Sequence, residues 1–283
     1  MDSNGDGLTD RIYVGDTGGQ LWRIDLPPNI DSSNKGTIAL LASLGGTCPS
    51  CGRRFFYPPT VVQLKDSKYT SAGNSKYDVV VIGSGHRPNP LGTDVQDRLY
   101  VIRDRAINGL VDANNDGVAD ASPLTHSDLY DATDNLIQDG TTADKIVARI
   151  VLKGKQGWYI DLEGTGEKSL SAPTVVQGVG YFTTYTPATS TSSTSCAPPE
   201  PGEGRIYALD LLTGGAVNAS YDGDSNDTGK DDRSKEIGKG VPSKVVPVVI
   251  KDKVVLLTGV DGGVHSENAP SPESSKILYW VKE

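Results

Sequence analysis

The chain has 283 residues, 36% of them hydrophobic, with 33 Gly and 17 Pro, which describes a turn-rich folded protein rather than a disordered one. Its 27 Lys plus Arg stand against 36 Asp plus Glu, a net charge of −9, and the stretch from Leu110 to Asp144 holds eight Asp with no Lys or Arg, which argues against nucleic acid or an anionic membrane as partner. No apolar run approaches the roughly 20 residues of a membrane-spanning helix; the longest, such as Val79 to Ile82 and Val254 to Leu257, sit inside strand patterns.

The chain opens on Asp2-Ser3-Asn4-Gly5-Asp6-Gly7-Leu8-Thr9-Asp10, which reads D-x-N-x-D-G-x-x-D. Positions 1, 3, 5 and 9 (Asp2, Asn4, Asp6 and Asp10) offer side-chain oxygens, Gly7 permits a sharp turn, and Leu8 offers its carbonyl, a hard oxygen set that suits calcium. The pattern recurs at Asp112, Asn114, Asp116 and Asp120, with the carbonyl of Val118. Position 12 of each loop falls on Tyr13 or Pro123, so the bidentate Glu of an EF-hand is missing and the affinity is modest or completed by a ligand from elsewhere. Asp-, Asn- and Gly-rich surface turns adopt such sequences for backbone reasons too. Met1 leads directly into the first loop with no basic-then-apolar leader, so the reading is of a truncated or processed chain.

Next comes Ile12-Tyr13-Val14-Gly15-Asp16-Thr17-Gly18-Gly19-Gln20-Leu21-Trp22-Arg23-Ile24-Asp25-Leu26: strand, Gly-rich hairpin, strand ending in Asp. Cys48 and Cys51 bracket two residues and are read first as a structural disulfide, with a redox pair or half a zinc site as alternatives. Zinc lacks its second ligand pair, since Cys196, His86, His126 and His265 are isolated, and Gly52 stands where a haem-attachment motif needs His. The strand pair recurs at Val79 to Gly85 with Arg98 to Asp104, at Tyr181 to Tyr185 with Gly204 to Asp210, and at Val254 to Gly259 with Ile277 to Val281. A preceding apolar strand with Pro nearby introduces these units, as in Pro59-Thr60-Val61-Val62 and Pro173-Thr174-Val175-Val176.

Helical periodicity is almost absent, so the fold class is all-β. Repeated strand units favour a modified, partial β-propeller of four-stranded antiparallel blades, with a β-sandwich as competitor. Residues 1–283 then make about three and a half blades, with long insertions at 104–144, acidic and carrying the second loop, and 183–204, rich in Thr, Ser and Pro; neither has the apolar content for a core. A ring cannot close on that number, so its remainder comes from the N-terminal half of the same parent protein or from a second chain. Asp222 to Asp227 has Lys230 in place of a fourth ligand and reads as a solvated loop. The three His are read as solvated loop residues, Trp22, Trp158 and Trp280 as packing residues, and Asp25, Asp161 and Asp210 as turn acceptors.

Gly5 to Gly7, Trp22 to Leu26, Arg98 to Arg105, Lys155 to Leu162, Ser171 to Val176 and Ile206 to Gly214 together resemble the C-terminal propeller, second half, of PilY-type tip-associated adhesins and biogenesis factors of bacterial type IV pili. The resemblance runs nearly end to end and implies a calcium loop at Asp2, Asn4, Asp6, Leu8 and Asp10 that sets whether the pilus resists retraction. It further implies surface attachment, twitching motility, minor pilins as partners, and a place at the cell surface, pilus tip or outer membrane after export through the periplasm. Such a protein is not an enzyme. Gly15 to Asp25 also fits the Gly-x-x-Gly-Gly-x-Leu-Trp repeat of quinoprotein dehydrogenases, the alternative reading, but no base, cationic clamp and acid converge by spacing. A thiol-redox role for Cys48 and Cys51 lacks a following helix N-terminus.

Overall fold

The computed structural model describes residues 1–29, 35–46, 48–65, 76–106, 109–110, 117–188, 201–223, 228–251 and 253–269. Its strands form four sheets laid out in chain order. The first holds β1 (Arg11–Gly15), β2 (Gln20–Asp25) and β3 (Thr37–Ser43) in the order β1-β2-β3. The second holds β4 (Thr60–Lys65), β5 (Lys76–Gly83), β6 (Arg98–Asp104), β7 (Tyr130–Asp131) and β8 (Gly157–Asp161) in the order β4-β5-β6-β8-β7, with α1 (Thr142–Gly154) between β7 and β8. In the third, β10 (Thr174–Val176), β11 (Val179–Thr186), β12 (Glu203–Asp210) and β13 (Ser234–Lys239) follow one another, and β9 (Lys168–Ser169) continues the β10 edge of β11. The fourth is β14 (Val246–Ile250), β15 (Lys253–Val260) and β16 (Gly263–Asn268).

Alternation of side chains across each strand explains how the sheets stack. On β5, Tyr77, Val79 and Val81 enter one core while Val80 and Ile82 enter another; on β6, Leu99 and Val101 divide from Tyr100 and Ile102 in the same way. The second sheet is therefore buried on both faces, which is why its strands read as continuous apolar runs. Tyr13, Leu21, Ala42 and Phe55 cover one face. Phe182, Tyr207 and Leu209 cover the other, while Val179, Tyr181, Ile206 and Ala208 on the opposite face of the third sheet meet Val245 and Leu256 of the fourth. Trp158 is fully buried in the largest core and donates its indole N–H to Leu211 O at 3.0 Å, so its polar tip is satisfied where its ring is dry.

Among the described residues, no sheet lies against the outer face of either end sheet. Cross-strand rows Ile12–Ile24–Ile38 and Val14–Trp22–Leu40 lie on one. Val246, Leu257 and Val264 lie on the other, with Val264 68% exposed.

The described residues make four sheets of three or five strands that close neither a barrel nor a propeller ring. Two expectations change. The second sheet gains a parallel fifth strand, β7, from the 104–144 insertion, and that insertion does feed the cores, through Leu129, Tyr130, Ala132 and Ile137. Four apolar side chains suffice because they fill gaps between sheets already in place. The helix α1 is the second change: Thr141 and Asp144 form a capping box at its start, and Ala148 and Leu152, one turn apart, pack beneath it. The expected strand at Ile277 to Val281 lies outside the described residues.

Candidate functional site

The first loop sits at the start of β1, and its backbone is turned by Gly5 and Gly7 at φ +83° and +86°. Gly7 occupies the sixth position, where the left-handed turn is needed. Asp2 Oδ1 accepts from the amides of Gly5 (2.6 Å) and Asn4 (3.3 Å), and its Oδ2 from Gly7 (2.9 Å). These amides, Gly7 first, hold the Asp2 carboxyl below the usual carboxylate range. Asp10 is likewise lowered, chiefly by the Ser3 hydroxyl at 2.6 Å and then the Ser3 amide at 2.7 Å. Asn4 Nδ2 donates to Asp6 Oδ2 at 3.1 Å and to Asp10 Oδ1 at 3.4 Å, so one amide stands between two carboxylates. Leu8 is exposed, and its amide is tied to Asp6 Oδ1 at 2.8 Å.

Asp2, Asn4, Asp6 and Asp10 thus lie on one compact turn with carboxyl and amide oxygens, a donor set that fits a hard divalent cation. The three carboxylates are not drawn to within 4.8 Å of one another; among the described residues that distance is met by Asp222, Asp231 and Asp232.

Behind the loop lies a buried ionic network that joins the first two sheets. Arg11 reaches Asp78 at 2.5 Å; Tyr13 OH donates to Asp78 at 3.0 Å and Asp104 at 2.9 Å; Arg23 reaches Asp104 at 2.7 Å and also pairs with Asp25. Asp25 accepts from the amide of Leu110 at 2.9 Å, which ties the approach to the second loop into the same network. Burial, then Asp104 and Asp78, raise the Tyr13 hydroxyl so that it stays a donor.

In the second loop, Asp112, Asn114 and Asp116 lie outside the described residues. Gly117, at its sixth position, has φ +89°, and Val118 bridges Ile38 in parallel, so the loop's end runs along β3 at the sheet end that also carries the first loop. Asp120 is exposed.

Cys48 and Cys51 are joined by a disulfide with Cα atoms 5.0 Å apart, and Cys196 lies outside the described residues. His86 stacks on Phe56, as a loop residue can. His126 departs from the expectation of a solvated residue: it is half-buried, hydrogen-bonded to Tyr100 OH at 3.0 Å and stacked on that ring. His265 belongs to β16 and faces Glu267 at 3.2 Å. Asp210 caps the turn through Leu212 and Thr213, as expected, whereas Asp25 and Asp161 pair with Arg23 and Arg98. Trp22 donates to Asp16, which also caps the first hairpin. Asp222 was expected in a solvated loop; Asp231 and Asp232 join it from downstream, and Asp224 to Asp227 lie outside the described residues. The grouping went unread because Asp232 is buried under Tyr221 and Gly229, whose amides it accepts.

The fold and its leading loop define a class: serially stacked antiparallel sheets with an Asp-rich loop at a sheet end. No family model matches the chain. It is 29% identical over 229 residues to a type IV pilus biogenesis factor PilY1 homolog of Xylella fastidiosa, covering 77% of this chain and 14% of that protein. It superposes on the crystal structure of the Pseudomonas aeruginosa PilY1 C-terminal domain with a TM-score of 0.57 at 17% identity, covering 96% of this chain and 60% of that one. The chain is therefore PilY1-like in sequence and in fold, and it spans about one seventh of the curated relative. No helix among the described residues is long and apolar enough to cross a membrane.

Proposed function

We propose that this chain is the calcium-responsive part of the C-terminal region of a type IV pilus biogenesis factor, acting at the cell surface to regulate pilus extension and retraction and to support attachment. The observation that carries the reading is the first loop: a full D-x-N-x-D-G-x-x-D donor set on a PilY1-like fold. Asp2, Asn4, Asp6, Asp10 and the Leu8 carbonyl would hold the ion, which supplies charge neutralisation to three carboxylates on one turn. Asp10 is followed directly by Arg11, whose pairing with Asp78 fixes the first sheet on the second, so ordering of the loop biases the relative position of those sheets. The second loop, Asp112 to Asp120, is a further calcium site in this reading. Stacked sheets whose outer faces no described sheet covers are consistent with a propeller segment completed by the N-terminal half of the parent protein or by a second chain, and minor pilins are the partners such a region would meet.

Calorimetry of the chelated chain tests the metal. Calcium at about 100 times its dissociation constant stabilises by about 2.7 kcal/mol. Asp6→Ala with Asp10→Ala is expected to remove the calcium-dependent rise in Tm apart from any share of the second loop, which Asp112→Ala with Asp116→Ala removes. An unchanged rise in the first pair of variants takes the first loop out of consideration. Completion of the array is tested by dye binding and light scattering: an isolated chain that is monomeric and binds no apolar dye contradicts it.

A further inference from the structure

Arg53 is a buried cation, 5% exposed, whose Nε the described residues leave without a hydrogen-bond partner, and among them no carboxylate pairs with it. Its place is fixed by backbone. The Arg53 amide donates to Gly45 O at 3.1 Å and Cys51 O at 2.7 Å just after the Cys48–Cys51 bridge, and the Phe55 amide donates to Asp16 O at 2.9 Å. Arg53 and Phe55 therefore both point inward, and Arg54 between them outward.

The neighbouring acids are committed elsewhere. Asp161 pairs with Arg98. Asp97 accepts from Ser84 Oγ at 2.6 Å and forms no ion pair with Arg53; burial lifts its carboxyl to about 6 against the opposing pull of Ser84, Lys168 and Arg53. Tyr100 OH is taken by His126. Around Arg53 stand Arg98 as a second cation, stacked on the Tyr159 ring at 4.1 Å, and the half-buried His126. Burial first, then Arg98, draws the Arg53 guanidinium below the ordinary arginine range among side chains. Desolvation, then Arg98 and Arg53, pulls His126 down to about 4. Side-chain exposure rises from 14% at Arg98 to 27% at Asp161, so the cluster has a wet side.

A buried guanidinium without a partner costs several kcal/mol, and a bound oxyanion offsets that cost through its fork of N–H donors. We infer that Arg53, with Arg98 beside it, is a receptor for a small oxyanion group, a carboxylate or a phosphate, at the end of the second sheet next to the Cys48–Cys51 bridge. This site is independent of the calcium reading: β6 begins at Arg98 in the cluster and ends at Asp104 in the network behind the first loop.

Thermal unfolding of the chain in sodium chloride, sodium phosphate and sodium acetate at matched ionic strength tests it. Phosphate, acetate or both are expected to raise Tm above chloride, and which anion acts distinguishes the two sources. Arg53→Met is expected to lose that difference and to keep or exceed the wild-type Tm in chloride, since it deletes an uncompensated buried charge. Equal behaviour of the three salts, an anion effect retained by Arg53→Met, or a large loss of Tm by that variant in chloride overturns the inference. NMR of the wild-type His126 ring gives a readout that needs no variant. His126 faces Arg98, Arg53, Asp161, Tyr100 and Tyr159, and an anion among these cations is expected to move its titration upward; an unmoved midpoint at saturating phosphate and acetate contradicts the site.

Discussion

Thr60 Oγ1 donates to the carbonyl of Pro173 at 2.6 Å, and the relationship repeats one sheet on, where Thr174 Oγ1 donates to Val245 O at 2.6 Å. Thr60 opens β4 and Thr174 opens β10, and each bonds the carbonyl of the residue just ahead of a strand in the next sheet, β10 for Pro173 and β14 for Val245. The stacking of the second, third and fourth sheets is thus directional as well as apolar. Thr60→Val and Thr174→Val each strip the donor and leave a carbonyl unmatched, so each is expected to lower stability by about 1–2 kcal/mol, with the larger effect at the buried Thr174. Urea midpoints measure this; two silent substitutions would mean that apolar packing alone sets the stacking.

Asp78 is fully buried and serves Arg11, Tyr13 and Gln63 together. Asp78→Ala is expected to cost about 3–5 kcal/mol, because a buried cation loses its counter-charge. Arg11→Met combined with Asp78→Leu should recover most of that loss, as replacement of both charges by apolar groups of similar size removes two desolvation costs. Denaturant unfolding of the double-mutant cycle reads the coupling directly.

Asp97 predicts a pH dependence of known sign. Its folded carboxyl is raised to about 6 by burial, with Ser84 opposing, so the native state keeps a proton that the unfolded chain has already released. Stability contributed by this group is greatest below about pH 4 and falls as pH rises toward 6. Asp97→Asn keeps the Ser84 bond, and is expected to remove that fall and to gain about 2–3 kcal/mol at neutral pH. Unfolding free energies of the two proteins between pH 4 and 7 should diverge with increasing pH; parallel curves refute the assignment.

Gly157 opens β8 with φ +138°, and a Cβ there would lie 2.0 Å from Val101 O on β6. The obstacle is backbone on the central ladder, so it cannot rotate away. Gly157→Ala is expected to destabilise by more than about 3 kcal/mol and to loosen the β6–β8 pairing, visible as faster amide exchange on both strands.

Local sequence carried the parts of this molecule whose chemistry is local. The first loop, the Asp16–Gly19 hairpin and the Val79 to Ile82 run were legible because turn residues and a two-faced burial pattern stay within a few positions of one another. The helix α1 was not, since only Ala148 and Leu152 are buried while Ile146, Val147, Ile150 and Val151 face outward, and such β-branched residues read as strand; the capping box at Thr141 and Asp144 was the available signal. The ionic network was beyond reach for another reason: Arg11 and Asp78 are 67 residues apart, and Tyr13 and Asp104 are 91 apart. Arg53 and Arg54 are adjacent in the sequence, and only the backbone that follows the disulfide turns the first of them inward.

Asp10 and Arg11 are consecutive, and the amides of both donate to Met1 O, at 3.0 and 3.2 Å. The leading turn is therefore the handle of a lever whose fulcrum is a guanidinium seated between two sheets. Swinging the handle drags that guanidinium off Asp78, and the bare charge left behind makes a partial displacement unfavourable by several kcal/mol. The leading turn and the first two sheets are accordingly tied through one buried ion pair, which resists any displacement at the amino end.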